Sequence, residues 1–596
     1  MKNKNRRKYK KYAVRMTLLL SAFVVQTALI AISLTALNRS FPYFWVFSFI
    51  LSAVAAFIIV NQQMNPDMKL ALVVPILLLP VLGGFMYLLL SRKKPLRSLT
   101  EQEVRMNTAL APLAEKSDDV LRKLEGLDET AAMQFKYLCR SNNFPIYDNT
   151  IVEYLSPGEH FFERLKEKLR SAEKTLYMEY FILQEGVMWS EILGIMSEKA
   201  RAGVDVRLIY DDMGCLKLLP DKYDEQVRAL GIGCRVYNRL GPLLSATVNT
   251  RDHRKITVVD GRIAFTGGAN LADEYINVNR KLRYWKDAAV MLEGDAAQSF
   301  TCMFLSLWDS LGTGEQPVEG RPPEKPASSG QIPGDSAAGG SIPKEPIPDG
   351  PFPKRPFPGT VFPANVQPYG QRPPLSYAVE IGRIGASQDT GGQFAKGSSK
   401  VLHTPETPSA AGPSPGFVAP YASIPADREP VGENVYLNMI AGAREYIHIC
   451  TPYLIPDAQI LAMLFLAAKN GVDVKIVTPF TPDNWNIHLV TRTFYRQLIE
   501  NGIEIYEYTP GFIHSKTIVC DHRLGVVGSI NFDFRSLFFH HECAVLMYRT
   551  SAIENMDKDF EEILKASRRI TLEECLNGKA SVRIAGSFLR LFCPLF

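Results

Sequence analysis

Three long apolar runs open the chain, and their length predicts helices that cross a membrane. They span residues 14–37, 41–60 and 70–90, and each is close to the ~20 apolar residues that a bilayer core requires. A secretory signal peptide is the alternative for the first run, but the run exceeds a typical signal h-region and two more follow it. Pro75 and Pro80 predict that the third run is kinked or re-entrant.

Basic residues flank this apolar region. Residues 1–15 carry eight Lys or Arg and no acid, and a second basic cluster lies at 92–97. Cytoplasmic loops are rich in Lys and Arg, so both clusters favour the cytoplasmic side of the membrane. Three membrane-spanning helices would place the two clusters on opposite sides. We therefore interpret 1–97 as a membrane region of two or three apolar helices. The whole chain is only +5, so the remainder is acidic, which argues against a nucleic-acid partner.

After a connector at 98–150, short apolar strands alternate with longer helical patterns, and this order occurs twice. RAGVDVRLIYDD, which begins at Arg201, parallels KNGVDVKIVTPF, which begins at Lys469. Strands that alternate with helices predict an α/β fold, here two similar domains that each hold a mixed sheet flanked by helices. We place them at 151–310 and 416–596.

The segment between the two domains has a different composition. Residues 311–430 hold 23 of the 39 prolines, so we predict a disordered Pro/Gly/Ser-rich insert at 311–415. The apolar C-terminal stretch 582–596 leaves two interpretations open, an amphipathic segment on the membrane surface or a helix packed on the second domain. Nine cysteines form no CxxC pair, which excludes a disulfide framework and a zinc signature.

Each half carries one candidate catalytic motif. HRKITVVDGRIAFTGGAN begins at His253 and HSKTIVCDHRLGVVGSIN begins at His514, an offset of 261 residues. On a strand, residues i and i+2 face the same side, so Lys255 points with His253, and Lys516 with His514. Two copies with identical spacing are a far more specific signal than one His-x-Lys.

This set of residues suits phosphodiester transfer. One imidazole attacks phosphorus, and the other protonates the leaving alkoxide and deprotonates the incoming alcohol. The lysines neutralise the non-bridging oxygens, so neither a metal nor another cofactor is required. The predicted catalytic residues are His253, Lys255, Asp260, His514, Lys516 and Asp521. The predicted substrate-binding residues are Asn270, Asn531 and Ser529.

Two acidic residues follow the motifs at matching places. Asp287 lies in WKDAAVML and Glu542 in HHECAVLM. A catalytic imidazole needs an acceptor on its second nitrogen to hold one tautomer. We assign Asp287 to His253 and Glu542 to His514 as supporting carboxylates; surface acids at strand starts are the alternative.

The duplicated motif resembles that of the phospholipase D superfamily, in which two similar domains share one active site. The resemblance covers about 150–310 and 416–570, and the long insert departs from the compact family pattern. The phrases VEYLSPGEHFFERL, GGANLADEY, TPYLIPD and GSINFDFRSL, with the apolar runs, are more narrowly similar to the bacterial cardiolipin synthases.

The resemblance implies a multi-pass enzyme of the bacterial cell membrane that acts on phosphatidylglycerol and other anionic phospholipids. It would transfer a phosphatidyl group from one phosphatidylglycerol to another and release glycerol, with His253 as nucleophile and His514 as acid and base. The residues alone do not order the two histidines. Two alternatives remain open: a hydrolase, either a phospholipase D or a nuclease, in which water is the acceptor, and an inactive membrane scaffold, which the two intact motifs oppose.

Overall fold

The computed structural model describes residues 43–62, 64–78, 97–239, 250–279, 283–312, 416–425, 429–577 and 580–595. The apolar run at 14–37 and nearly all of the predicted insert lie outside these residues. The other two runs begin as helices α1 (Phe44–Val60) and α2 (Pro66–Leu78), and Pro75 lies inside α2. Within the described ranges, no helix has both the length and the hydropathy of a membrane span.

The connector is helical and touches the second domain. It forms α3 (Arg97–Glu115), α4 (Asp118–Leu127) and α5 (Glu129–Lys136). Asp128 caps α5 by accepting from the backbone N–H of Ala131, and its second oxygen accepts from Arg523 at 2.5 Å. This ion pair ties the connector to the turn within the second motif that follows Asp521.

The first domain is a seven-stranded mixed sheet with helices on its faces, in the order β1-β9-β7-β6-β2-β3-β4. Strands β2, β3 and β4 are parallel, and the other pairs are antiparallel. The strands are β1 (Ile151–Leu155), β2 (Thr175–Tyr180), β3 (Asp205–Asp211), β4 (Gly233–Tyr237), β5 (Arg251–Asp252), β6 (Lys255–Val259), β7 (Ile263–Gly267), β8 (Tyr284–Lys286) and β9 (Ala289–Glu293). The helices are α6 (Gly158–Arg170), α7 (Val187–Arg201), α8 (Asp212–Cys215), α9 (Tyr223–Arg228) and α10 (Ala297–Gly312).

The second domain repeats this plan, with the main strand order β10-β17-β16-β15-β11-β12-β13-β18. Its strands are β10 (Phe417–Ser423), β11 (Tyr446–Cys450), β12 (Asp473–Pro479), β13 (Glu504–Tyr508), β14 (Gly511–Ile513), β15 (Thr517–Cys520), β16 (Leu524–Gly528), β17 (His540–Tyr548) and β18 (Ser567–Arg569). Its helices are α11 (Val431–Gly442), α12 (Ala458–Lys469), α13 (Trp485–Glu500), α14 (Phe534–Phe538), α15 (Ser551–Lys565), α16 (Leu572–Leu576) and α17 (Ala580–Arg590). The predicted α/β fold with two similar domains is confirmed.

Apolar packing between the sheets joins the domains. Ala264 and Leu292 of the first sheet share one buried cluster with Val526 and Leu546 of the second. Burying a Leu or Val side chain contributes about 1.5–3 kcal/mol, so a cluster drawn from both sheets stabilises their association.

Two short strand pairings cross between the domains. β5 pairs in parallel with the start of β17, and β8 pairs in parallel with β14. Each paired segment ends directly before a motif histidine or a supporting carboxylate of its own domain. These exchanged pairings position the candidate site.

The C-terminal helix α17 packs on α13. Gly586 allows the close approach, since a Cβ there would lie 2.7 Å from Cγ2 of Thr493, and the Arg590 guanidinium lies 4.0 Å from the ring centroid of Phe494. The opposite face exposes Ile584 and Phe588. Packing on the second domain, one of the two interpretations from the sequence, is thus observed.

Candidate active site

Both motif histidines are held by backbone of the opposite domain. The N–H of His253 donates to the carbonyl oxygen of His541 at 2.9 Å, and the N–H of His514 donates to that of Lys286 at 2.7 Å. These bonds extend the two exchanged strand pairings. Each histidine is therefore fixed by the other half of the chain.

The supporting carboxylates are crossed between the domains. Nδ1 of His253 lies 2.9 and 3.0 Å from the two carboxylate oxygens of Glu542, and Nδ1 of His514 lies 2.7 Å from Oδ2 of Asp287. The expected pairing within each half is wrong. The exchanged strands carry each carboxylate to the opposite histidine, so the two motifs and both acids lie in one site.

Charge and burial select one tautomer for each histidine. Burial lowers the pKa of His253 to about 3 and, together with Lys516, that of His514 to about 4. Burial alone would raise the pKa of Glu542, but His253 and the hydrogen bonds to the carboxylate hold it well below its ordinary value. Each neutral imidazole therefore donates its Nδ1 proton to an ionised carboxylate and keeps a lone pair on Nε2.

The two lysines are buried beside the histidines. Nζ of Lys255 donates to the carbonyl oxygen of His253, and Nζ of Lys516 donates to that of His514 at 2.5 Å. Burial lowers the pKa of Lys255 to about 8, and burial with repulsion from Lys255 lowers that of Lys516 to about 7. An anionic phosphate between them would restore their charge.

The motif aspartates lie away from this chemistry. Asp260 follows β6, at the strand end opposite Lys255, and its carboxylate accepts from the backbone N–H groups of 173–175 at 2.7–2.9 Å. Asp521 accepts in the same way from the N–H groups of 444–446. Their predicted catalytic role is corrected to a structural one: both fix the chain that enters the central strand.

The predicted substrate-binding residues have different surroundings. Asn270 accepts from the N–H of Ile182 at 3.0 Å and donates to the hydroxyl of Tyr275 at 2.8 Å. Asn531 donates to Ser536, whereas its buried Oδ1 has no partner among the described residues. The Ser529 hydroxyl donates to Glu542, so it supports the carboxylate of the His253 pair.

Each motif histidine has an aromatic neighbour that we did not predict from the sequence. The ring centroid of His540 lies 5.6 Å from that of His253, and that of Trp285 lies 5.1 Å from that of His514. Each of these residues stands two positions before its carboxylate. Strand alternation, which puts i and i+2 on one face, was the signal that could have found them.

One group of side chains in the described part of the chain has the spacing of metal ligands. Ligand atoms of His253, His540 and Glu542 all lie within 4.8 Å of one another. Glu542 already accepts from His253 and Ser529, which accounts for both carboxylate oxygens without an ion.

Two family models match the chain. The model described as cardiolipin synthase, PLD-like domain, matches residues 165–308 and 436–564, which contain both motifs. The model described as Phospholipase D-nuclease N-terminal matches residues 50–92. The matched segments therefore include both domains and part of the apolar region.

Similar proteins extend over most of the chain. An uncharacterized protein of Streptococcus mutans is 34% identical over 90% of this chain and 98% of its own length. A cardiolipin synthase of Halalkalibacterium halodurans is 26% identical over 98% of this chain and 99% of its own length. The crystal structure of a phosphatidylserine synthase from Haemophilus influenzae aligns with a TM-score of 0.49 at 14% identity, over 78% of this chain and all of that chain.

Proposed function

This chain belongs to the cardiolipin synthase family of the phospholipase D superfamily and is a phosphatidyltransferase. We propose that it transfers a phosphatidyl group between two phosphatidylglycerol molecules with release of glycerol. The observation that carries the proposal is the pair of crossed His–carboxylate contacts, with one lysine beside each histidine. That arrangement supplies one phosphate with two imidazoles, one as nucleophile and one as acid and base, and with two cations.

In the first step, Nε2 of His253 attacks phosphorus and the bond from phosphorus to the glycerol oxygen breaks. His514 gives its Nε2 proton to that oxygen, and glycerol leaves. Burial, which lowers the pKa of His514 to about 4, opposes protonation, but a bound phosphate anion raises that pKa and lets the imidazole carry the proton.

In the second step, the hydroxyl of another phosphatidylglycerol takes the place of glycerol. His514 removes the hydroxyl proton, the oxygen attacks phosphorus, and the bond from phosphorus to His253 breaks. Lys255 and Lys516 stabilise the non-bridging oxygens in both steps. Neither a metal nor a cofactor takes part in the proposed reaction, and nucleic acid is not a substrate.

We place the enzyme at the bacterial cell membrane, held there as a multi-pass protein by its N-terminal region. The apolar runs at 14–37, 41–60 and 70–90 and the anionic lipid substrate support this location. The exposed side chains of α1 include Phe47 and Phe57, which are unfavourable in water.

Product analysis tests the proposed reaction. Purified full-length protein is incubated with phosphatidylglycerol, with and without EDTA, and the lipids and glycerol are quantified. We expect cardiolipin and glycerol in equal amounts under both conditions. Phosphatidic acid as the main product would instead identify a hydrolase, and loss of activity in EDTA that one divalent ion restores would contradict the metal-free mechanism.

A further inference from the structure

His540 is a third imidazole beside the pair of His253 and Glu542. Its Nδ1 lies 3.8 Å from Oε1 of Glu542, and its side chain is 10% exposed. Neither of its ring nitrogens has a hydrogen-bond partner among the described residues. Buried polar groups in native proteins are nearly always hydrogen-bonded, so an exception calls for a functional reason.

The duplication supplies an internal comparison for this residue. Trp285 holds the matching position, two residues before Asp287, and its indole N–H points to Oδ2 of Asp287 at 3.4 Å. Tryptophan has one polar group, which here finds a partner within the protein. His540 has two such groups in the same place; neither makes a hydrogen bond among the described residues, and Nδ1 lies 3.8 Å from the Glu542 carboxylate.

We propose that His540 binds the phosphodiester of the substrate on the His253 side, as a hydrogen-bond donor to a non-bridging oxygen. Both ring nitrogens are buried as placed. The proposal requires a rotation about the Cβ–Cγ bond, which exchanges the nitrogens with ring carbons and turns one nitrogen toward the phosphate. The inference rests on the proposed function only in requiring a phosphodiester substrate.

The charges of the site explain the need for this donor. Burial and repulsion from Lys255 lower the pKa of Lys516 to about 7. Part of its positive charge is therefore lost near neutral pH before the substrate binds. An additional N–H donor strengthens the initial capture of an anionic phosphate.

Two measurements on three variants test the proposal. The KM for phosphatidylglycerol in detergent micelles and the inhibition constant of inorganic phosphate are compared in His540→Ala and His540→Asn. Loss of one hydrogen bond to a charged group should raise both constants about tenfold in His540→Ala. The Asn amide can donate, so His540→Asn should stay within about threefold. His160→Ala, which removes an exposed imidazole from α6, is the control and should change neither.

Unchanged constants in His540→Ala would overturn the proposal. So would a lower kcat with an unchanged phosphate constant, because His540 would then act only through Glu542. His540→Phe, which keeps the ring volume, replaces the alanine variant if thermal unfolding reveals a folding defect. Failure of the proposed transfer is distinguishable: phosphatidic acid would replace cardiolipin, whereas the phosphate constant would still report on His540.

Discussion

The surroundings of His253 differ from those of His514, although both histidines follow the same backbone plan. On the first side, Glu542 accepts from His253 and from the Ser529 hydroxyl, and the imidazole of His540 lies beside both. This carboxylate is held by the Ser529 hydroxyl as well as by His253, which fixes the orientation of His253.

On the side of His514, different groups surround the carboxylate. Asp287 accepts from His514, from the indole N–H of Trp285 and from the backbone N–H of Ala288, and Trp285 occupies the position that His540 holds on the other side. Gly268 stands in the place of Ser529, and a Cβ there would lie 2.1 Å from Oδ1 of Asp287. The duplicated domains thus kept the two histidines and changed what surrounds each one, which teaches that equal motifs need not perform equal steps.

Replacing the histidines should have the largest effect and separates their roles. We expect His253→Ala and His514→Ala each to lose at least about a thousandfold in kcat, because nucleophilic and acid–base catalysis are removed. Acid quench during turnover should trap a phosphatidyl adduct on His253 in His514→Ala, and none in His253→Ala. An adduct on His514 would reverse the assignment, and near-normal turnover in either variant would refute the shared site.

Neutralising the crossed carboxylates should have the next largest effect. Asp287→Asn and Glu542→Gln remove the acceptor that fixes each tautomer, and we expect each to lower kcat about a hundredfold. Rapid-quench kinetics should show slower adduct formation in Glu542→Gln, and slower adduct release in Asp287→Asn. If each carboxylate instead supported the histidine of its own half, the effects of the two variants would be exchanged. The measurement therefore also tests in solution whether the His–carboxylate pairs cross between the domains.

The pH dependence should come from the lysines. Their lowered pKa values mean that charge is lost as pH rises through about 7 for Lys516 and about 8 for Lys255. We expect kcat/KM to fall by about tenfold per unit above that range. Lys516→Arg should move the onset of the decline upward, because the guanidinium stays protonated. A profile that is flat to pH 9 in the wild type would contradict this.

Exchanging the residues around the carboxylates should have a smaller effect. Ser529→Gly gives the second motif the glycine that the first motif has at the matching position, and it removes one hydrogen bond from Glu542. We therefore expect adduct formation to slow about three- to tenfold. Ser529→Ala separates the loss of the hydroxyl from added backbone freedom and should behave alike. Gly268→Ala should lower both the melting temperature and kcat, since its Cβ would displace the Asp287 carboxylate that holds His514.

The motif aspartates should affect stability rather than chemistry. Asp521→Ala leaves three backbone N–H groups without their acceptor and removes one of the two carboxylates that pair with Arg523, and we expect a loss of about 1–3 kcal/mol. Asp260→Ala should cost less, since only backbone donors are lost. Thermal unfolding measures the cost, and kcat of the folded fraction should stay within about threefold of the wild type. A loss of kcat near that of the histidine variants would restore the catalytic role.

Much of this architecture could be predicted from local patterns. The alternation of apolar strands with helices predicted the α/β fold, and the repeat at a constant offset located both motifs in matching strands. Lys255 faces the same way as His253 because strand geometry requires it. The same pattern could not distinguish Asp260 from a catalytic residue, although a five-residue strand separates that aspartate from the histidine by its full length.

Only the tertiary structure decided which groups meet. His253 and Glu542 are 289 residues apart, and no local pattern encodes their contact. It arises because burial of apolar side chains packs the two sheets together and the exchanged strands then satisfy backbone hydrogen bonds across the junction. The sequence by itself determined the duplicated chemistry. The packing of the halves paired each histidine with a carboxylate of the other half and set His540 beside only one of them.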